Sequence, residues 1–131
     1  MAEDHHQPKS RVLMMPRDTN ASGTIFGGVI LSYIDQAGAE EAICQGARRV
    51  VTVAMNQVVF HEPVFVGDLV SFYTEIIKVG RSSVTVKVLV KSARRYDRNE
   101  LVDVTEAEIT YVNVDQNGRS IPIARPRGVE V

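Results

Sequence analysis

The spacing of apolar positions along the chain changes from a helical period to an alternating one near residue 50. From Ile25 to Gln45, small and apolar residues recur at helical spacing, and Gly46 follows; this pattern predicts one long helix. The stretches 50–64, 68–79, 82–94 and 100–115 are rich in β-branched residues and predict long strands. The apolar run from Val12 to Met15 predicts a short edge strand that ends at Pro16.

The links between the predicted strands are short, as in the "GRS" step between the second and third long strands. Short links favour antiparallel neighbours. A lone helix can bury its apolar side only against a curved sheet that wraps around it, so the predicted fold class is α+β. We expect one domain over residues 1–131, with loose tails at 1–9 and 121–131. Free edges of long strands also favour pairing with a second copy.

Composition excludes several functional classes. The 131 residues are 44% hydrophobic and 24% charged, with a net charge of −1, so nothing indicates nucleic-acid binding. No apolar run reaches the roughly 18 residues of a membrane span, and the polar start lacks a signal-peptide pattern. We therefore expect no membrane insertion and a cytoplasmic location. The single cysteine, Cys44, is interpreted as a small core or interface residue rather than a reactive thiol.

Asp35 is the main candidate for chemistry, because it lies in the middle of the predicted helix. On a helical wheel it shares a stripe of small residues, such as Gly28 and Gly38, while Ala37 and Glu40 fall opposite. A stripe of small residues lets a second backbone or a ligand approach. A buried carboxylate needs partners, so pairing with a basic side chain or capping of a loop is the alternative interpretation.

Two neighbouring motifs support a functional role. Phe26, Gly27 and Gly28 begin the helix, where unpaired backbone N–H groups can stabilise an oxyanion. Asp35 is seven residues after Gly28, about 10 Å along the axis, so a substrate between two subunits would reach the amides of one and the carboxylate of the other. Tight packing is the alternative role of the glycines. Asn20 could position a water molecule, or simply form an Asx turn.

The segment "PRDTNASGTIFGGVILSYIDQAG" resembles the opening motif of the hotdog-fold acyl-CoA thioesterases. The similarity is to small bacterial acyl-CoA hydrolases related to the brain-type cytosolic enzyme. It continues through "F…P…VGD", "KVGRSSVTVKV" and "TYVNVDQNGRS", and thus spans residues 11–120. Thr24 and Tyr33 depart from residues common in such relatives.

The resemblance implies a hotdog fold, in which a sheet wraps a long helix and two sheets join edge to edge. It implies a homodimer at minimum, assembled as a trimer of dimers, with active sites at subunit interfaces. Asp35 matches the catalytic carboxylate, Asn20 the residue that positions water or substrate, and Gly27 and Gly28 the amides that polarise the thioester carbonyl. The turn from Gly80 through Arg81 and Ser82 to Ser83, together with Phe26, matches the region that contacts coenzyme A and substrate.

Basic residues are candidates for the coenzyme A phosphates, since Arg suits bidentate phosphate contact. Arg81 is the preferred one, because its turn adds hydroxyls and N–H donors; Lys78, Arg48, Arg49, Arg94 and Arg95 are the others. His61 is interpreted as a structural or surface residue rather than a catalytic one. No metal-ligand spacing is present, and no cofactor is expected, because coenzyme A belongs to substrate and product.

The predicted activity is hydrolysis of acyl-CoA to a free fatty acid and coenzyme A. Asp35 could act as a general base on water, which we prefer, or attack the thioester directly. A non-catalytic acyl-CoA-binding protein of the same fold is the main alternative. A dehydratase is disfavoured because the predicted helix contains no histidine.

Overall fold

The computed structural model describes residues 7–124. Residues 1–6 and 125–131, most of the two predicted tails, lie outside the described residues. The elements, in chain order, are β1 (Ser10–Leu13), a 3-10 turn (Pro16–Asp18), α1 (Gly27–Cys44), β2 (Val50–Phe60), β3 (Leu69–Val79), β4 (Ser83–Arg94) and β5 (Asp97–Asn113). The predicted helix and strands are thereby confirmed, with shifts of a few residues at their ends.

The described strands form one antiparallel sheet in the order β1-β3-β4-β5-β2. β1 is an edge strand, as predicted, and β2 is the other edge. β2 has register shifts after Thr52 and after Asn56, and Gln57 adopts a positive φ of 53°. Such bulges bend an edge strand. The free side of β2 is therefore long, irregular and open to another chain.

The core lies between α1 and one face of the sheet. In β4 every second residue from Val84 to Val90 is buried, while the residues between them are only partly buried, as expected for a strand with one covered face. The predicted α+β architecture is confirmed: α1 lies across the sheet and touches β2, β3, β4 and β5.

The buried stripe of α1 differs from the predicted one. It comprises Ile30, Ile34, Ala37, Gly38 and Ala42. The placement of Ala37 on the polar side was therefore wrong, because a helix on a concave sheet buries a stripe more than about 100° wide. Asp35 lies at the border of this stripe, one residue from the fully buried Ile34.

The two ends of the described chain are held to the sheet by backbone hydrogen bonds. The N–H of Lys9 donates to the carbonyl of Phe72 at 2.7 Å, and its ammonium pairs with Glu41 on α1 at 3.0 Å. At the other end, the N–H of Ile123 donates to the carbonyl of Arg81 at 2.8 Å. The final residue of α1, Cys44, is exposed, so its interpretation as a core residue was wrong; an interface role stays a prediction.

Candidate active site

Asp35 is held by hydroxyl groups. Its Oδ1 accepts a hydrogen bond from Thr52 Oγ1 at 2.8 Å and another from the Tyr111 hydroxyl at 3.1 Å. The same hydroxyl lies 2.8 Å from the backbone carbonyl oxygen of Asp35. Within residues 7–124, no Lys or Arg forms an ion pair with Asp35, and Oδ2 has no hydrogen-bond partner. The alternative interpretation, pairing with a basic side chain, is thus wrong for the described residues.

Tyr111 approaches the helix through the gap that Gly38 leaves. Tyr111 is 1% exposed, and a Cβ atom on Gly38 would overlap its hydroxyl oxygen. Part of the stripe of small residues is therefore occupied by the chain's own β5. At Gly28, by contrast, a Cβ would meet nothing within 4 Å, so that end of the stripe is open to a ligand or another subunit.

Thr52 and Tyr111 were not predicted as partners of Asp35. They come from different strands, 17 and 76 residues away along the chain, so local spacing cannot reveal the contact. They are direct neighbours across the β2–β5 pair. The one available signal was the alternation of Ala107, Ile109 and Tyr111 with polar residues in the sequence, because these apolar positions form the side of β5 that is buried.

The start of α1 offers backbone donors, as predicted. Phe26 precedes the helix and its side chain does not cap it. The N–H groups of Gly27 and Gly28 have no acceptor in the described part of the chain; the Val29 N–H turns back to the Phe26 carbonyl at 3.1 Å. A helix N-terminus carries a partial positive charge, so these two donors suit a developing oxyanion.

A cavity of about 340 Å³ adjoins this helix start. Gly27 and Ile30 line one side, and Phe60, His61 and Val64 line the other. Asp35 does not line this cavity. The carboxylate and the amides are separated by about 10 Å of helix, so one protomer does not bring them to the same carbonyl group.

Asn20 is engaged within its own loop. Its Oδ1 accepts the N–H groups of Ser22 and Thr24 at 2.8 and 3.1 Å, and its amide nitrogen donates to Thr24 Oγ1 at 2.9 Å. This is the Asx-turn arrangement. One amide hydrogen is left for another acceptor, so the predicted contact with water or substrate stays a prediction.

The predicted coenzyme A turn is a compact β3–β4 link. The Gly80 N–H donates to the Ser83 carbonyl at 2.7 Å, and the carbonyl of Ser82 accepts the Asn113 N–H at 2.8 Å. The turn is therefore fixed on both sides by neighbouring backbone. The side chain of Arg81 is exposed and makes no hydrogen bond or ion pair with the described residues. It is a cation available to a ligand.

Arg94 is not a candidate for phosphate binding. It is 6% exposed, pairs with the buried Asp68 at 2.7 Å, donates to the Pro63 carbonyl at 3.0 Å and lies over the Phe65 ring at 5.1 Å. A cation with these partners stabilises the fold and cannot also reach solvent phosphate. The side chains of Lys78, Arg48, Arg49 and Arg95 are exposed, so their predicted role stays open.

The described residues contain no cluster of three His, Cys, Asp or Glu side chains that could hold a metal ion. Between residues 7 and 124, no helix has the length and apolar character needed to cross a membrane.

Comparison with known proteins supports the thioesterase interpretation. The model of the thioesterase superfamily matches residues 22–97. A Haemophilus influenzae protein named as an uncharacterized acyl-CoA thioester hydrolase is 46% identical over 92% of this chain and 80% of its own length. A hexameric hotdog-fold thioesterase of Campylobacter jejuni superposes with a TM-score of 0.85 at 45% identity, covering 90% of each chain.

A hexameric broad-specificity acyl-coenzyme A thioesterase gives a TM-score of 0.86 at 44% identity, over 93% of this chain and 84% of that one. The family match covers more than half of the sequence, and both solved structures superpose on at least 90% of this chain. The chain therefore belongs to the thioesterase superfamily and has the hotdog fold.

Proposed function

We propose that the protein hydrolyses acyl-CoA thioesters, releasing a carboxylic acid and free coenzyme A. The observation that supports this most is the state of Asp35: a partly buried carboxylate held by two hydroxyls, without a cation and with Oδ2 unoccupied among the described residues. A carboxylate needed only for stability would ordinarily be paired or fully hydrogen-bonded. The similarity to a solved broad-specificity acyl-coenzyme A thioesterase supports acyl-CoA as the substrate class.

Asp35 acts as the general base. It takes a proton from a water molecule, whose oxygen attacks the thioester carbonyl carbon. The displaced electron pair moves to the carbonyl oxygen, where backbone N–H groups stabilise the negative charge. When this intermediate collapses, the carbon–sulfur bond breaks, and the coenzyme A thiolate takes the proton from Asp35. The carboxylate is restored, and no cofactor is consumed.

The oxyanion donors come from a second subunit. Gly27 and Gly28 of one protomer face the same thioester as Asp35 of its neighbour, because about 10 Å of helix separates the two groups within one chain. The open edge of β2 is the dimer contact, and we expect three such dimers to form a hexamer, the subunit number of two similar solved structures. A native mass six times the 14.5 kDa of the chain is the corresponding expectation.

Coenzyme A extends from this interface toward the Gly80–Ser83 turn. Arg81 pairs with its phosphates, and the backbone of the turn and the hydroxyls of Ser82 and Ser83 add shorter contacts. The ring of Phe26, which is 51% exposed beside the helix start, packs against the substrate. Asn20 orients the attacking water through its remaining amide hydrogen.

The activity is tested by release of free thiol from acyl-CoA substrates of increasing chain length, with Asp35→Asn as the matched variant. The substitution keeps the size of the side chain and removes its basicity. We expect the wild-type protein to release thiol and the variant to lose at least about a hundredfold in kcat/KM. Mass spectrometry of the quenched protein should show no acyl group on Asp35, since direct attack would form a mixed anhydride.

Two results would contradict this function. Binding of acyl-CoA without thiol release by the wild-type protein would indicate a non-catalytic acyl-CoA-binding protein. A folded Asp35→Asn variant that keeps more than about a tenth of the wild-type rate would remove Asp35 from the mechanism.

A further inference from the structure

We propose that Tyr111 is a positioning residue for the reaction: its hydroxyl donates to Oδ1 of Asp35, clamps that oxygen in place and thereby makes Oδ2 the oxygen that takes the proton. This inference rests on the proposed function, and deepens it, because it names the reacting atom and the side chain that selects it.

The clamp is rigid because Tyr111 is fixed at both ends. Its ring is 1% exposed in the core, and its position on β5 is set by pairing with Thr52 on one side and Val84 on the other. Its hydroxyl reaches both the backbone carbonyl and the carboxylate of Asp35, at 2.8 and 3.1 Å. Gly38 supplies the space, since a Cβ there would overlap the hydroxyl.

The Tyr111 hydroxyl is a permanent donor at physiological pH. Burial raises the pKa of Tyr111 far above its usual range, and the adjacent Asp35 carboxylate raises it further. A phenol that stays protonated donates its single hydrogen to whichever acceptor is more negative. While Asp35 is ionised, that acceptor is the carboxylate, and the bond to a charged acceptor is the stronger one.

The two carboxylate oxygens are therefore unequal. Thr52 and Tyr111 both donate hydrogen bonds to Oδ1, and no described residue donates to Oδ2. Rotation of the carboxylate would exchange the two oxygens only by breaking both hydrogen bonds. Oδ2 is consequently held with its lone pairs directed away from the clamp, which is the pre-organisation that a general base requires.

Tyr111→Phe is the direct test, because it removes one oxygen atom and keeps the buried ring. We expect kcat for acyl-CoA hydrolysis to fall about tenfold, because the variant loses one hydrogen bond to a charged group. KM should stay within about twofold of the wild-type value. Hydrogen bonds to a carboxylate favour its ionised form. The acidic limb of the kcat–pH profile should therefore move to higher pH in the variant.

Tyr33→Phe is the matched control. It removes a hydroxyl from the same helix region, and the Tyr33 ring contacts Phe72, at 5.9 Å between centroids, with no bond to Asp35. We expect its kcat and pH profile to match the wild type. Thermal unfolding of both variants measures any loss of stability separately. A loss of stability alone would leave the acidic limb of the kcat–pH profile in place, whereas a loss of positioning would move it.

Gly38→Ala provides a second test with the phenol still present. The added methyl group would force the Tyr111 hydroxyl away from Asp35, so we expect the same shift of the pH limb. The double variant Gly38→Ala with Tyr111→Phe should lose less kcat than the product of the two single losses. Both substitutions remove the same contact, the hydrogen bond from Tyr111 to Asp35.

The outcomes separate this inference from the proposed function. If the wild-type protein releases thiol and Asp35→Asn does not, but Tyr111→Phe keeps the wild-type kcat and pH profile, Tyr111 is not a positioning residue and the function stands. If the wild-type protein releases no thiol, both are wrong.

Discussion

At the scale of single residues, the partners of a carboxylate decide whether it can do chemistry. A cation beside Asp35 would stabilise the negative charge and so weaken the affinity of the carboxylate for the proton that a general base must accept. Hydroxyl donors on one oxygen fix the direction of the group and leave its negative charge and its other oxygen in place. Thr52 and Tyr111 do this for Asp35. This is the geometry that we expect of a positioned general base.

Arg81 is the residue whose role is most easily separated from catalysis. It lies on a fixed turn, is exposed and has no partner among the described residues. We predict that Arg81→Ala raises KM for acyl-CoA about tenfold and leaves kcat nearly unchanged, because a bond to phosphate is lost in both ground and transition states.

The matched substrate for this prediction is an acyl-pantetheine, which carries the same thioester without the nucleotide phosphates. Its KM should be the same for wild type and Arg81→Ala. Equal increases in KM for both substrates would mean that Arg81 does not contact the phosphates.

The residue roles differ in how far they could be predicted from sequence. The positions of Asp35, Gly27 and Gly28 on α1 were predicted correctly, because helix periodicity is a local signal; their roles stay predictions. Thr52 and Tyr111 were missed because their contact with Asp35 depends on which strands lie under the helix. Arg94 was included among the phosphate candidates because the sequence does not reveal its buried partner, Asp68, which is 26 residues away.

At the scale of elements, the loop after β2 is held beside the helix start by a buried ion pair. Asp68 accepts hydrogen bonds from the Phe65 N–H at 3.0 Å, from Ser92 at 3.0 Å and from Arg94 at 2.7 Å. The same loop lines the cavity at Gly27. This pair therefore links the stability of the sheet to the shape of the site.

We predict that Arg94→Met destabilises the protein by about 3–5 kcal/mol, because it leaves the Asp68 carboxylate buried without its cation. The measurement is equilibrium unfolding in denaturant. Arg95→Met is the control: Arg95 is the next residue, its side chain is exposed, and we expect a change below about 0.5 kcal/mol. Similar losses for the two variants would contradict the buried-pair interpretation.

The elements themselves were largely predictable, because their signals are local. The change of period near residue 50, Gly46 with its φ of 110° at the end of α1, and the "GRS" link each gave a correct boundary to within a few residues. The side of α1 that is buried was less predictable. The width of the buried stripe on α1 depends on the curvature of the sheet, and this curvature places Ala37 in the core and Asp35 at the border of the stripe.

At the scale of the whole molecule, one protomer contains both the carboxylate and the backbone donors of the proposed site but does not bring them close together. The cavity at Gly27 and the carboxylate of Asp35 lie on one helix, about 10 Å apart, and the edge of β2 beside them is unpaired. An isologous pairing of two such edges relates the sites by a two-fold axis. Each site would then take its base from one subunit and its oxyanion donors from the other.

Co-assembly of two inactive variants tests this shared site most directly. One subunit carries Asp35→Asn. The other carries Gly27→Pro, which removes one backbone N–H. Proline is tolerated at this first helical position. The preceding residue, Phe26, already has the extended backbone that proline requires before it (φ −56°, ψ 134°). Gly27→Ala is the control, since it adds the Cβ and keeps the N–H, and it should retain activity.

Differently tagged subunits, produced together and purified as hybrids, are assayed for thiol release against each variant alone. In hexamers assembled at random from equal amounts of the two subunits, about a quarter of the sites should combine an intact Asp35 with an intact Gly27 amide from the neighbouring subunit. Activity should therefore return to about a quarter of the wild-type activity. Hybrids as inactive as the two parent assemblies would contradict the shared site.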